Sequence, residues 1–311
     1  MYFPFLRGRQ NELLAIRELV ELGRLSDKVM PIIEPVKLSS TLYKTLEVFV
    51  KKGKSIGLAI NPTVGNFDFG FSGKDEEKRR YYDLLSTDNI TKCLIMNRYS
   101  EKHLEKWNVD ESDYNKWIVI NTNRDYLDLY NKIFCTVFPK YSLIRDEFRR
   151  KIKKGKVLFE NRFEKCNRNA DYANKERVDE SYSEDHLYYK DEGYNGFSDY
   201  SIIGDEFIES GFAPYAVAIH IVYFDKDNVL RIHHFVSDSN DDIRDPGGKF
   251  YEAAQKLKDW VDKNKFIVST IGLEKILEHY NNGTYPGLGS IKKYSLMHHL
   301  ELMSNYLDKE G

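Results

Sequence analysis

Cys93, Cys135 and Cys166 are the only thiols in 311 residues. Their number is odd and no pair has CxxC spacing, so neither a disulfide framework nor a cysteine-rich zinc site is expected. Long apolar runs are also missing. No stretch approaches the ~18 residues that cross a bilayer, and the N-terminal residues lack a basic region followed by an apolar one. A cytoplasmic protein with no membrane partner is expected. Charge of one sign is scarce: the formal net charge is −2, too little for the global basic field that dominates nucleic-acid affinity. Finally, GxSxG, HExxH, GxGxxG and the Walker A spacing are all absent, so no motif names a reaction.

Five short apolar runs that end in a polar or charged side chain are present. They cover 2–6 before Arg7, 30–33 before Glu34, 56–60 before Asn61, 93–96 before Asn97 and Arg98, and 117–120 before Asn121. Helical spacing lies between them, over 10–25, 40–50, 75–86, 100–107 and 124–134. A Gly- and Phe-rich loop over 64–73 precedes the third of these helices. Two further extended pieces, 140–144 and 156–159, continue the alternation. Strands alternating with helices imply parallel pairing and right-handed crossovers. Seven such strands plus 216–223 make eight, the number of a closed barrel. The expected fold is therefore α/β, a decorated TIM-like β/α barrel, with an open doubly wound parallel sheet as the alternative.

Residues 161–215 break this rhythm. They are rich in Asn, Asp, Tyr and charge, and are expected to form an inserted cap over the barrel mouth. Two apolar runs, 217–222 and 229–235, flank Asp225-Lys-Asp-Asn228 and suggest a β-hairpin. Helical stretches at 247–263, 270–281 and 290–308 finish the chain. The expected organisation is a barrel domain over 1–235, with the cap inserted in it, and a helical extension over 236–311 packed on the barrel. Hydrophobic residues are 41% and charged residues 31%, a globular balance, and the 22 Tyr and 18 Phe suit packing more than base stacking.

Polar strand ends are where such folds place their sites. Arg7 and Arg9 could clamp a phosphate or carboxylate, or form rim salt bridges with Glu12 or Glu34. Glu34, Asp146 and Glu160 are the carboxylates placed to act as acid and base, or to bind a divalent metal through oxygen. The bland reading pairs them with Arg7, Arg98 and Arg162. Asn61, Asn97, Asn121 and Asn123 could orient a hydroxyl or a base edge, or cap the next helix. Arg162, Arg168, Asp171 and Asp199 in the inserted segment complete the ligand-binding candidates, together with His220 and His233, which could face each other across the hairpin. Neither His233-His234 nor His298-His299 is a metal motif, because neighbours diverge on a strand and on a helix. The clusters Lys78-Arg79-Arg80 and 149–156 read as solvated basic faces, and Asp245-Pro-Gly-Gly-Lys249 as a turn and cap.

The opening Tyr2-Phe-Pro-Phe-Leu-Arg-Gly-Arg-Gln-Asn-Glu-Leu-Leu-Ala-Ile-Arg-Glu-Leu19 and the following Pro31-Ile-Ile-Glu-Pro35 resemble the start of the phage beta-protein family and its bacterial relatives. Arg231-Ile-His-His-Phe235, Pro286-Gly-Leu-Gly289 and His298-His-Leu-Glu301 resemble the bacterial branch more than the phage one. The resemblance implies a barrel-like domain and occurrence in phages and mobile elements. It carries over no catalytic residues and no settled reaction. Two functions stay open. One is a binding protein that engages a protein or nucleic acid of a phage, host or mobile element, or an anionic ligand, at the barrel mouth, in defence or counter-defence. The other is a hydrolase or lyase acting on a phosphate-bearing or nucleotide-like substrate.

Overall fold

The structure, a computed structural model, describes residues 1–67, 75–174, 176–208 and 214–310. Of the expected 64–73 loop, residues 68–73 lie outside the described residues, as do 175 and 209–213 of the expected cap. The chain divides into two compact units, one formed by 1–23, 27–161 and 185–200, the other by 24–26, 162–184 and 201 onward.

The first unit is the expected barrel. Seven parallel strands follow in order: β1 (Phe5–Leu6), β2 (Ile32–Ile33), β3 (Ile56–Ala59), β4 (Ile90–Ile95), β5 (Ile118–Asn121), β6 (Tyr141–Ile144) and β7 (Lys156–Phe159). Five helices connect the first six strands: α1 (Gln10–Glu21), α2 (Ser40–Lys51), α3 (Asp75–Leu85), α4 (Ser100–Lys106) and α5 (Leu127–Ile133). Helix α2 shows how local chemistry sets these bounds. The Ser39 hydroxyl accepts from Leu42 N, Leu42, Leu46 and Phe49 are buried at helical spacing, and Gly53 at φ +66° ends the run.

The eighth barrel strand is not 216–223. After an excursion that includes β8 (Asp179–Ser183), the chain returns through α6 (Asp185–Tyr188) to β9 (Gly196–Ser198), which pairs in parallel with β7. β9 also closes the barrel onto the N-terminal segment: Phe3 N and Phe5 N donate to Phe197 O and Asp199 O at 2.8 Å, and Phe197 N donates to Met1 O at 3.1 Å. Tyr2 bridges both Val29 and Phe197. A Cβ on Gly196 would lie 2.7 Å from both Met1 O and the Phe3 ring, so this approach requires glycine. Phe5, Ile32, Ala59, Cys93, Ile120, Leu143 and Phe159 fill the interior. Burial raises the Cys93 thiol well above its ordinary range, which leaves it a packing group.

The second unit holds β8, β10 (Ala218–Phe224), β11 (Leu230–Val236), α7 (Pro246–Lys263), α8 (Ile271–Asn281) and α9 (Leu288–Lys309). Its sheet is antiparallel in the order β10-β11-β8. The expected hairpin is present, but it belongs here rather than to the barrel, and it shares its unit with the three C-terminal helices. The expected boundary at 235/236 therefore does not separate them, and 161–215 is not one inserted cap: 185–200 is barrel and the rest of its described residues from 162 on are second unit. Helices α8 and α9 touch through Gly272, where a Cβ would stand 2.1 Å from Tyr294 O and 2.5 Å from His298 N. Gly272→Ala should lower the stability of this unit by about 1–3 kcal/mol, the usual cost of overpacking, as read from its urea midpoint. Among the described residues, no helix is long and apolar enough to cross a membrane.

Candidate functional site

Side chains alternate along a strand, so the residue two beyond an interior position points toward the barrel mouth. From Phe5, Ile32, Ala59, Ile95 and Leu143 this rule gives Arg7, Glu34, Asn61, Asn97 and Arg145. The structure joins the first two. Arg7 Nη1 donates to Glu34 Oε2, and Glu34 is fully buried. The other oxygen, Oε1, accepts from Thr63 N and Thr63 Oγ1, both at 2.7 Å. The Arg7 guanidinium stands 5.4 Å from the Phe5 ring centroid and 5.3 Å from that of Tyr200, which holds the cation against two aromatic groups of the interior.

A second pair forms at the ends of β6 and β7. Arg145 Nη1 donates to Glu160 Oε2 at 3.0 Å, and Glu160 Oε1 accepts from Asp146 N at 2.9 Å. Asp146 in turn accepts from Tyr194 OH at 2.7 Å. The three candidate carboxylates therefore have assigned partners. Arg145 is the residue missed from sequence; its signal was the same polar strand end that singled out Asp146.

Arg9 is the N-cap of α1, and Glu12 is three residues on. That spacing is half of a capping box, in which the carboxylate returns to the backbone N–H of the cap. Glu12 is almost wholly buried under this turn. Burial raises its carboxyl to about 7, against the charge of Arg9 and hydrogen bonds from the backbone of Arg9 and Arg7 that lower it. It supports the Arg7 turn rather than forming a rim ion pair.

The amides divide by task. Asn61 pairs with a strand edge, its Nδ2 donating to Ile95 O at 2.7 Å and its Oδ1 accepting from Ile95 N at 2.9 Å. Asn97 accepts from Tyr99 N and Asn123 from Asp125 N, both turn contacts. Asn121 Oδ1 accepts from Asn123 N, while its buried Nδ2 has no hydrogen-bond partner among the described residues. Arg98 is exposed, with its guanidinium over the Tyr99 ring. Asp199 accepts from Tyr2 OH at 2.6 Å and so latches the closing strand.

Arg162, Arg168, Asp171, His220 and His233 belong to the second unit. His220 does not face His233. The register pairs His220 with His234 and Ile221 with His233, because the turn after Phe224 sets the alignment and a shift of one residue changes the face. His220 Nδ1 and His234 Nδ1 lie 2.6 Å apart, and His234 Nε2 lies 3.3 Å from Glu180 Oε1. Burial, then the neighbouring imidazole, holds His220 well below its ordinary value. Burial and the charge of Arg177 lower His234 to about 3.

The opposite face of the sheet carries Arg231, His233 and Phe235. Asp179 there accepts from His233 Nδ1 at 2.9 Å, Tyr223 OH at 2.8 Å, and Arg231 Nε and Nη2 at 2.9 and 2.8 Å. Burial alone would raise the Asp179 carboxyl, but hydrogen bonds from His233, Tyr223 and Arg231 outweigh it and bring the value to about 2. Next to this cluster, β11 and α7 bound a cleft of about 400 Å³ lined in part by His233, Phe235, Lys256, Asp259, Trp260 and Lys263.

Among the described residues, no group of three or more His, Cys, Asp or Glu is arranged to hold a metal ion, so the carboxylate–metal reading of the mouth has no donor set there. The chain matches no protein-family model, no curated protein and no solved structure.

Proposed function

We propose that the protein is a cytoplasmic binding protein that takes an anionic ligand, or an anionic group of a larger partner, at the barrel mouth through Arg7. The observation that carries this reading is the buried Arg7–Glu34 pair at the C-terminal end of the first two strands. A buried ion pair is a weak source of stability compared with apolar residues of the same size, and strand C-terminal ends are where barrels place their sites. Glu34 is held by Thr63 from the other side, so the guanidinium is oriented before a ligand arrives. The resemblance to the bacterial relatives of the phage beta-protein family supports a phage, host or mobile-element partner, in defence or counter-defence. The alternative, a hydrolase or lyase on a phosphate-bearing substrate, has less support, because Glu34 and Glu160 each bind an arginine and Asp146 bonds Tyr194.

Calorimetry of the full chain with pyrophosphate, a dicarboxylate and a short single-stranded oligonucleotide tests the binding reading. At least one should bind saturably, and Arg7→Gln should weaken it about 10-fold, the scale of one charge-assisted hydrogen bond. Equal binding by wild type and Arg7→Gln would remove the mouth as the site.

A further inference from the structure

We propose that the cleft between β11 and α7 is a second binding site, distinct from the barrel mouth, and that it takes a nucleoside monophosphate. Three features of the second unit support this. The first is the state of His233. A carboxylate can only accept, so the hydrogen between His233 and Asp179 sits on Nδ1, and Nε2 is the ring position left over for a ligand. Nε2 has no partner among the described residues, and His233 lines the cleft. Two other histidines of the same unit use both ring nitrogens. His298 bonds Thr270 Oγ1 through Nδ1 and Val222 O through Nε2, both at 2.7 Å. His234 also uses both ring nitrogens. Asp179, itself fixed by Tyr223 and Arg231, orients the His233 ring in the cleft wall.

The second feature is the face of α7. Lys256, Asp259, Trp260 and Lys263 recur at i, i+3, i+4 and i+7, so they share one face of the helix, and all four line the cleft. Lys256 already donates to Val236 O and Asp238 Oδ1. Lys263 is exposed and has no ion pair among the described residues. It supplies a cation for a phosphate, the Asp259 carboxylate supplies an acceptor for hydroxyl and N–H donors, and His233 Nε2 supplies a further polar contact.

The third feature is the apolar wall. Trp260 lies 5.1 Å from the His233 ring and 5.4 Å from the Phe235 ring, and Val178 and Ala173 extend this surface. A volume of about 400 Å³ suits one small molecule rather than a polymer. An aromatic wall, a carboxylate acceptor, a ring nitrogen and an exposed cation around that volume match an aromatic ring, its hydroxyls and one phosphate. Sugar phosphates lack the ring, and free bases lack the anion.

The test titrates the full chain by calorimetry with AMP, GMP, CMP and UMP, and with adenosine and inorganic phosphate as separate arms. At least one monophosphate should bind saturably, and adenosine and phosphate should each bind about 10-fold more weakly or worse. His233→Gln and Lys263→Gln, each made in the Arg7→Gln background so that the barrel mouth does not contribute, should each weaken the monophosphate about 10-fold. That background separates this site from the barrel mouth. Lys263 is exposed, so its variant reports on binding even if His233→Gln disturbs folding. No saturable binding by any of the four monophosphates, or unchanged binding by Lys263→Gln, would overturn the proposal.

Discussion

Glu34→Ala lowers the stability of the barrel unit by about 3–5 kcal/mol, the cost of leaving a buried charge without its partner. The side chain of Glu34 is fully enclosed and that of Arg7 is 13% exposed, so water cannot replace the lost carboxylate well. Thr63 N and Oγ1 lose their acceptor in the same step. The double variant Arg7→Leu with Glu34→Leu should recover most of that loss, because two apolar side chains of similar volume need no partners. Urea unfolding of the wild type, the single variant and the double variant gives the three values. If the double variant is no more stable than Glu34→Ala, the pair is part of the fold's stability and the case for a ligand at Arg7 weakens. If it recovers while losing the anion, stability and binding are separated at one position.

The two units should respond to acid in opposite directions. His234 and His298 have folded values of about 3 and about 4, set first by burial, and His220 lies well below its ordinary value. An unfolded histidine takes its proton near pH 6.5. Below that pH the unfolded state binds protons that the folded state refuses, so stability falls as pH drops from about 6.5 toward 4. At about 1.4 kcal/mol per unit and per group, His234 and His298 alone cost the second unit on the order of 5 kcal/mol by pH 4. The raised Glu301 carboxyl opposes this in part. In the barrel, the folded Glu12 value of about 7 lies above the ordinary carboxylate value. Its contribution is complete below about pH 4.5 and is lost as pH rises through 7, so acidification from 6 to 4.5 stabilises the barrel. The Met1 amino group, lowered to about 6 mainly by burial, acts above that window. Peptide-resolved hydrogen exchange at pH 6, 5 and 4.5, corrected for intrinsic rates, should show protection falling in β10, β11 and α9 while it rises in α1. Parallel changes in both units would contradict the assignment.

The spans of β3 to β7 and of the helices other than α6 could be read from periodicity, since each buries a face whose spacing is local. The closing strand could not. Gly196-Phe-Ser198 is short, begins with glycine and sits in polar surroundings, and what makes it a strand is the backbone of Met1 to Phe5, almost two hundred positions away. The longer apolar run at 216–223 reads as a better eighth strand, yet the strand it forms, Ala218–Phe224, pairs with Leu230–Val236 in a hairpin. At the candidate sites, the polar strand ends were legible as residue types, but their partners were not. Nothing in the sequence says that Asn61 spends its amide on Ile95, or that Glu34 and Arg7 choose each other while Glu160 chooses Arg145. The one-residue alignment of the hairpin likewise decided that His233 meets Asp179 and His220 meets His234.

The late position of β9 has a consequence for biogenesis. Made from the N-terminal side, the barrel has seven strands in hand well before residues 196–198 leave the ribosome. In that interval the free edges of β1 and β7 are open templates for pairing with another chain. At ~5–20 residues per second the ribosome needs roughly 2–7 s to pass from the end of β7 at Phe159 to Gly196. The Tyr2–Asp199 hydrogen bond and the glycine at 196 form the clasp that ends this exposure. A nascent chain stalled before residue 196 should therefore be the species that holdase chaperones retain, and one stalled well past residue 200 should be released.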